Sequence, residues 1–141
     1  MALKLTLKPG EKFVINGAVI ANGDRRATVV VHNKASILRE RDIMKVEDVK
    51  SPASRIYFAV MSMYLDDKVR SKFYEEFVQR MSEFMGAVSS PDILAVCISV
   101  SQAVMEKNYY RALTLCRKLL SFEEGLLNHE SSSVSADAAS N

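Results

Sequence analysis

A change of hydrophobic period near residue 50 constrains the fold of this chain more than any other feature of its sequence. Upstream, short apolar segments alternate in steps of two or are β-branched, and dipeptides that favour tight turns separate them. Downstream, apolar residues recur every three or four positions, the spacing of one helix face. The sequence therefore predicts an α+β fold, with a small N-terminal antiparallel β-module of about five strands followed by a C-terminal bundle of three to four α-helices.

The turn signals define the β-module. Pro-Gly at 9–10 ends the first strand, since Pro cannot donate to a ladder. Asn-Gly occurs at 16–17 and again at 22–23, and each predicts a hairpin turn because both residues tolerate positive φ. The segments expected to form strands are 3–7, 13–15, 18–21, 27–32 and 37–39.

The helical part begins at Ser51-Pro52, a capping residue followed by Pro at the first helical position. The expected helices are 52–65, about 69–84, about 91–107, and a fourth from Tyr110 that stops at Gly125. Gly86 and the segment 89–92 are expected to break the chain after the second helix. The third is apolar nearly all round, which predicts the central helix. We assign residues 1–50 to the β-module, 51–127 to the helical bundle and 128–141 to a disordered tail rich in Ser and Ala.

Charge is distributed unevenly along the chain. Residues 1–50 contain ten Lys and Arg against six Asp and Glu, whereas the remainder contains nine against eleven. An anionic partner would therefore meet the β-module. The N-terminus alternates Leu with Lys, unlike a signal peptide, and no apolar run is long enough to span a membrane. We expect a cytoplasmic protein that makes no membrane contact.

Motifs for catalysis, cofactors and metals are absent from the sequence. His32 follows the strand valines and is interpreted as a half-buried sheet residue, and His129 lies at the edge of the predicted tail. Cys97 and Cys116 lie in apolar helical stretches without metal-ligand spacing, so we expect buried thiols. The chain is predicted to be neither an enzyme nor a metal- or cofactor-binding protein.

Basic residues of the β-module are the candidates for binding RNA, because Arg offers a planar fork and Lys a point charge to phosphates. A solvated face that only aids solubility is the competing interpretation. Tyr57, Tyr64, Tyr109 and Tyr110 could stack on bases, but their helical spacing favours a role in the core or an interface. The basic residues predicted to bind RNA are Lys4, Lys8, Arg25, Arg26, Arg39 and Arg41.

Several separate motifs resemble the FlbT family of bacterial regulators of flagellin synthesis. They lie at residues 5–11, 15–20, 22–26, 37–44 and 52–58, and the resemblance extends over roughly residues 1–125. It implies post-transcriptional control of flagellum biogenesis, through binding of the 5′ untranslated region of flagellin mRNA. Translation and message stability would be controlled, with repression favoured over activation.

The β-module alone is similar to the carbon storage regulator family of small RNA-binding β-dimers. Matched residue by residue, that resemblance implies RNA contacts from Leu5, Thr6, Leu7 and Lys8 and from Arg39, and so adds Leu5 and Thr6 to the predicted RNA-binding residues. Leu7 and Pro9 depart from the pattern of that family, and the helical half has no counterpart in it.

Two hypotheses follow for the function. In the first, the partner is the flagellin mRNA 5′ leader, and the helices supply a core, a dimer surface or a docking face. In the second, the chain is an adaptor or chaperone-like module that binds flagellin or another flagellar regulatory protein. Its methionines, Met61, Met63, Met81, Met85 and Met105, would then form an adaptable groove, although core filling is the ordinary interpretation. A homo-oligomer, for example a dimer, is expected in either case.

Overall fold

The computed structural model describes residues 2–140, with side chains described for residues 2–127. Within this range the strands are β1 (Leu3–Leu7), β2 (Lys12–Ile15), β3 (Ala18–Ala21), β4 (Ala27–Val31) and β5 (Ile37–Arg39). The helices are α1 (Pro52–Leu65), α2 (Arg70–Ala87), α3 (Pro91–Met105) and α4 (Tyr109–Ser140). Short 3₁₀ turns cover Glu40–Asp42, Val46–Asp48 and Asp67–Val69. The predicted α+β class and order of elements are confirmed.

The strands form two small antiparallel sheets. β1 pairs with β4 alone, from Leu3 opposite Val31 to Leu7 opposite Ala27. β2 lies between β3 and β5 in the second sheet. Alternation along β1 buries Leu5 and Leu7 and leaves Lys4 on the opposite, exposed face, as the period of two predicts.

One of the two predicted Asn-Gly hairpins forms. Asn16 and Gly17 have φ values of 49° and 84°, and they join the paired strands β2 and β3. The hairpin predicted at Asn22-Gly23 is wrong, because β3 and β4 belong to different sheets. Asn22 instead donates from its side-chain amide to the carbonyls of Lys8, at 2.8 Å, and Arg25, at 2.9 Å. This amide ties the start of β4 to the end of β1.

The central helix is α1, and the prediction that α3 is central is wrong. α1 packs against both α2 and α4, and all of Ile56, Val60 and Met63 are fully buried. α3 packs mainly on α4, and it exposes 58% of Ile98 and 75% of Met105. The hydrophobicity of α3 predicts that the helix is buried, but it does not determine how many other helices pack against it.

The helix boundaries follow local capping where caps exist. Ser51 accepts a hydrogen bond from the Ser54 amide at 3.3 Å in a capping box, with Pro52 in the first turn, as predicted. The break predicted after the second helix occurs, since α2 ends at Ala87, next to Gly86, and α3 begins at Pro91. The stop predicted at Gly125 is wrong, since α4 continues through it. Residues 128–141, with His129, lie outside the range of described side chains, and the tail stays a prediction.

Hydrogen bonds join the β-module to α1. The Tyr57 hydroxyl donates to the carbonyl of Asp42 at 2.6 Å. The Tyr64 hydroxyl accepts from the Ile37 amide at 2.8 Å and donates to the carbonyl of the same residue at 3.0 Å. Leu38, the next residue of β5, is 1% exposed and packs in the helical core. The end of β5 is therefore fixed against α1.

Candidate nucleic-acid interface

The predicted RNA-binding residues fall into two groups in space. The first lies on the β1–β4 ribbon, where Lys4 is opposite Val30 and Thr6 is opposite Thr28. Directly opposed residues share a face, so these four side chains lie on the outer face of the ribbon. Exposed Val30 makes part of this face apolar.

Three further cations lie at one end of the ribbon. Lys8 follows the end of β1, and Arg25 and Arg26 precede the start of β4, all three exposed. The Asn22 amide holds the backbones of Lys8 and Arg25 side by side. We call Lys4, Lys8, Arg25 and Arg26 the ribbon cations. The ion pairs found within residues 2–127 involve only Arg41, Arg80 and Arg117.

The second group lies between the β-module and the helices. Arg39 is half-buried, and its Nη2 donates to the carbonyl of Thr6 at 2.9 Å, which links β5 to β1 across the two sheets. The Arg41 side chain is 74% exposed, with its Nε 3.9 Å from the carboxylate of Asp42. The side chain of Leu5 is buried, so an RNA contact predicted there would have to use its backbone.

A cleft of about 310 Å³, which the sequence pattern does not predict, is lined by Arg39, Arg41 and Leu5. Helix side chains complete it: Tyr64 from α1, and Tyr110 and Arg117 from α4. Tyr110 and Arg117 are seven residues apart, which places them on one face of α4 two turns from each other. That spacing is the signal by which Arg117 could have been found, but nothing local placed α4 beside β5.

The cleft is basic despite one internal ion pair. Arg117 contacts Asp42 at 2.8 Å, with 41% and 15% of the two side chains exposed. Desolvation opposes the charged form of Arg117, but the carboxylate of Asp42 and the hydroxyl of Tyr57 outweigh it and raise the pKa of the guanidinium. Asp42 offsets one of three arginines, and so the cleft keeps an excess of positive charge.

The methionines, the cysteines and His32, which the sequence also singles out, do not form a binding site among the described residues. Met61, Met63 and Met81 are buried in the core, which favours core filling over a methionine groove. Both cysteines are buried, as predicted. His32 is exposed just beyond β4, which corrects the half-buried placement. Among the described residues, no group of His, Cys, Asp and Glu could hold a metal ion, and no helix has the length and apolarity to cross a membrane.

Comparison with known proteins identifies relatives over most of the chain. A family model described as "Flagellar protein FlbT" matches residues 3–127. The "Flagellum biosynthesis repressor protein FlbT" of Caulobacter vibrioides (strain ATCC 19089 / CIP 103742 / CB 15) is 58% identical over 136 residues, 96% of each chain. A probable flagellum biosynthesis repressor of Rhodopseudomonas palustris (strain TIE-1) is 35% identical over 91% of this chain and 99% of its own length. No solved structure matches the chain. The chain belongs to the FlbT family of flagellar proteins.

Proposed function

We propose that this chain is a post-transcriptional repressor of flagellum biogenesis that binds the 5′ leader of flagellin mRNA. Its relatives are named flagellum biosynthesis repressors, which supports a regulatory role. The observation that carries the RNA-binding part is the group of ribbon cations, Lys4, Lys8, Arg25 and Arg26, none of which forms an ion pair with a described residue.

Unpaired cations on a two-stranded ribbon, three of the four at one end, suit a polyphosphate chain. Holding Lys8 beside Arg25 concentrates positive charge, which neutralises adjacent phosphates and releases their counterions. Phosphate contacts of this kind position the RNA without specifying its sequence. Occupying the leader near the ribosome-binding region would block initiation, and lower ribosome loading would change the lifetime of the message.

Charge-matched double variants test the proposal. Lys8→Ala with Arg25→Ala removes two ribbon cations, whereas Lys72→Ala with Lys118→Ala removes two exposed lysines from α2 and α4. Affinity for the flagellin leader is measured by fluorescence anisotropy at several salt concentrations. We expect only the ribbon variant to bind more weakly, with a shallower salt dependence.

Equal losses in both variants would mean that overall charge, not the ribbon, attracts the RNA. If the purified wild-type chain does not bind the leader but retains flagellin or a flagellar regulator after nuclease treatment, the adaptor hypothesis is favoured.

A further inference from the structure

We propose that Tyr110 forms a stacking site for an unpaired RNA base, in a groove separate from the ribbon cations. The inference rests on the proposed function, because it assigns a second contact to the same RNA. It arises from the pairing of an exposed aromatic ring with arginines in the cleft beside β5.

The two tyrosines of the cleft differ in what holds them. Tyr64 has a structural role, because its hydroxyl forms both hydrogen bonds to the backbone of Ile37. Tyr110 lies against it, with ring centroids 5.7 Å apart and planes tilted by 52°. Yet Tyr110 remains 51% exposed, so core packing does not account for an aromatic residue there. Tyr64 fixes the position of a ring that is still open to a ligand.

The groove extends beyond the cleft. A second cavity, of about 680 Å³, shares Ala35, Tyr64 and Tyr110 with the first. The tyrosine pair therefore lies where the two cavities meet. The second cavity is bordered by Tyr109, whose ring centroid is 4.8 Å from the guanidinium carbon of Arg70. Aromatic rings thus line both the junction of the two cavities and the second cavity.

Cations flank the tyrosine pair on both sides. Of the described residues that line the two cavities, six are basic and two, Asp42 and Glu106, are acidic. The basic ones are Arg39, Arg41 and Arg117 on one side and Lys34, Arg70 and Lys107 on the other. A positively charged groove with stacking residues along it is the arrangement by which proteins bind single strands.

Unpaired RNA fits this groove better than other anionic polymers. A duplex keeps its bases stacked inside, so it has no free base face for Tyr110. An acidic peptide would use the cations but has no need of the ring. A single strand uses both, with bases on the ring and phosphates on the flanking cations.

Tyr110→Ala and its matched control Tyr110→Phe test the site in the full chain. The probes are a single-stranded RNA oligonucleotide of the flagellin leader with one 2-aminopurine base, and a blunt RNA duplex of equal length. For the single strand, we expect Tyr110→Ala to lose about tenfold in affinity and to reduce the quenching of the fluorescent base. Tyr110→Phe keeps the ring and should bind within about twofold of the wild type. Urea midpoints confirm folding of both variants.

The salt dependence separates this inference from the proposed function. Tyr110→Ala changes no charge, so the slope of log affinity against log salt should not change, in contrast to the ribbon variant. Wild-type affinity in Tyr110→Ala would overturn the stacking site and leave the ribbon proposal intact. Equal losses for the duplex would overturn it too. A third outcome is possible: the chain binds the leader no better than unrelated single strands, and Tyr110→Ala still weakens that binding. This result would contradict the flagellin leader as the target but would support the stacking site.

Discussion

Replacing Tyr64 with Phe tests how strongly the β-module is joined to the helices. The change keeps the ring and removes a hydroxyl that satisfies both backbone groups of Ile37, at 2.8 and 3.0 Å. Those groups lie on the edge of β5 away from β2, and Ile37 is only 8% exposed. Each hydrogen bond contributes about 1 kcal/mol net, and leaving a buried partner unpaired costs about 1–3 kcal/mol.

Because the adjoining cleft admits water to this edge, we expect Tyr64→Phe to lower the free energy of unfolding by about 1–3 kcal/mol. A loss of about 2 kcal/mol moves the urea midpoint by about 1 M, for an m value of about 2 kcal/mol/M. Amide hydrogen exchange at Ile37 should also become faster. Urea unfolding followed by circular dichroism gives the midpoint.

Tyr110→Phe is the matched control, since its ring is half exposed and its midpoint should stay within about 0.5 kcal/mol of the wild type. The reasoning is refuted if both variants are equally stable and exchange at Ile37 is unchanged. That result would mean that water replaces the hydroxyl at no cost.

The remaining predictions concern the core, one turn and the thiols. Leu113→Ala opens a cavity at a residue that is 1% exposed, and thermal unfolding should show a loss of about 2–5 kcal/mol. Gly17→Ala places a side chain on a residue with φ +84°, and urea unfolding should show a loss of about 1–2 kcal/mol in the free energy of unfolding. The added Cβ would not clash, since the nearest atom, the carbonyl oxygen of Leu65, is 3.8 Å from it. Burial raises the pKa of Cys97 and Cys116, so neither thiol should react with a thiol reagent in the native protein at pH 8, and both should react in urea. Because the pKa of each thiol is higher in the folded state than the unfolded value of 9.0, the thiols cost the fold no stability below pH 9. Above pH 9 the unfolded chain loses these protons first, so the free energy of unfolding should fall as the pH rises.

Elements with local signals were predicted closely. Four elements have the expected bounds: β1, β3, β5 and α1. Alternation in a strand, an Asn-Gly turn and a capping box each depend only on residues a few positions apart, so the sequence alone shows them. Non-local pairing explains the errors. Asn16 and Asn22 both precede Gly, but only the turn at Asn16 connects strands that pair, β2 and β3. The turn at Asn22 connects β3 to β4, and β4 pairs with β1 instead.

The candidate site divides in the same way. Ribbon cations followed from strand alternation and turn residues, and the structure exposes all four. The cleft did not follow, because Arg117 reaches Asp42 only through the packing of α4 on α1. Likewise, Arg39 was predicted from charge, but its hydrogen bond to Thr6 depends on how two separate sheets meet.

The salt dependence of leader binding tests the central proposal most directly. Affinity of the purified chain for the flagellin mRNA leader is measured from low to high salt, for the wild type and for a variant with all four ribbon cations replaced by Ala. Each phosphate contact on a single strand contributes a slope of about −0.7. We predict that the variant's slope is shallower by about 2–3, with weaker binding at every salt concentration. Equal slopes would show that the ribbon does not bind the RNA.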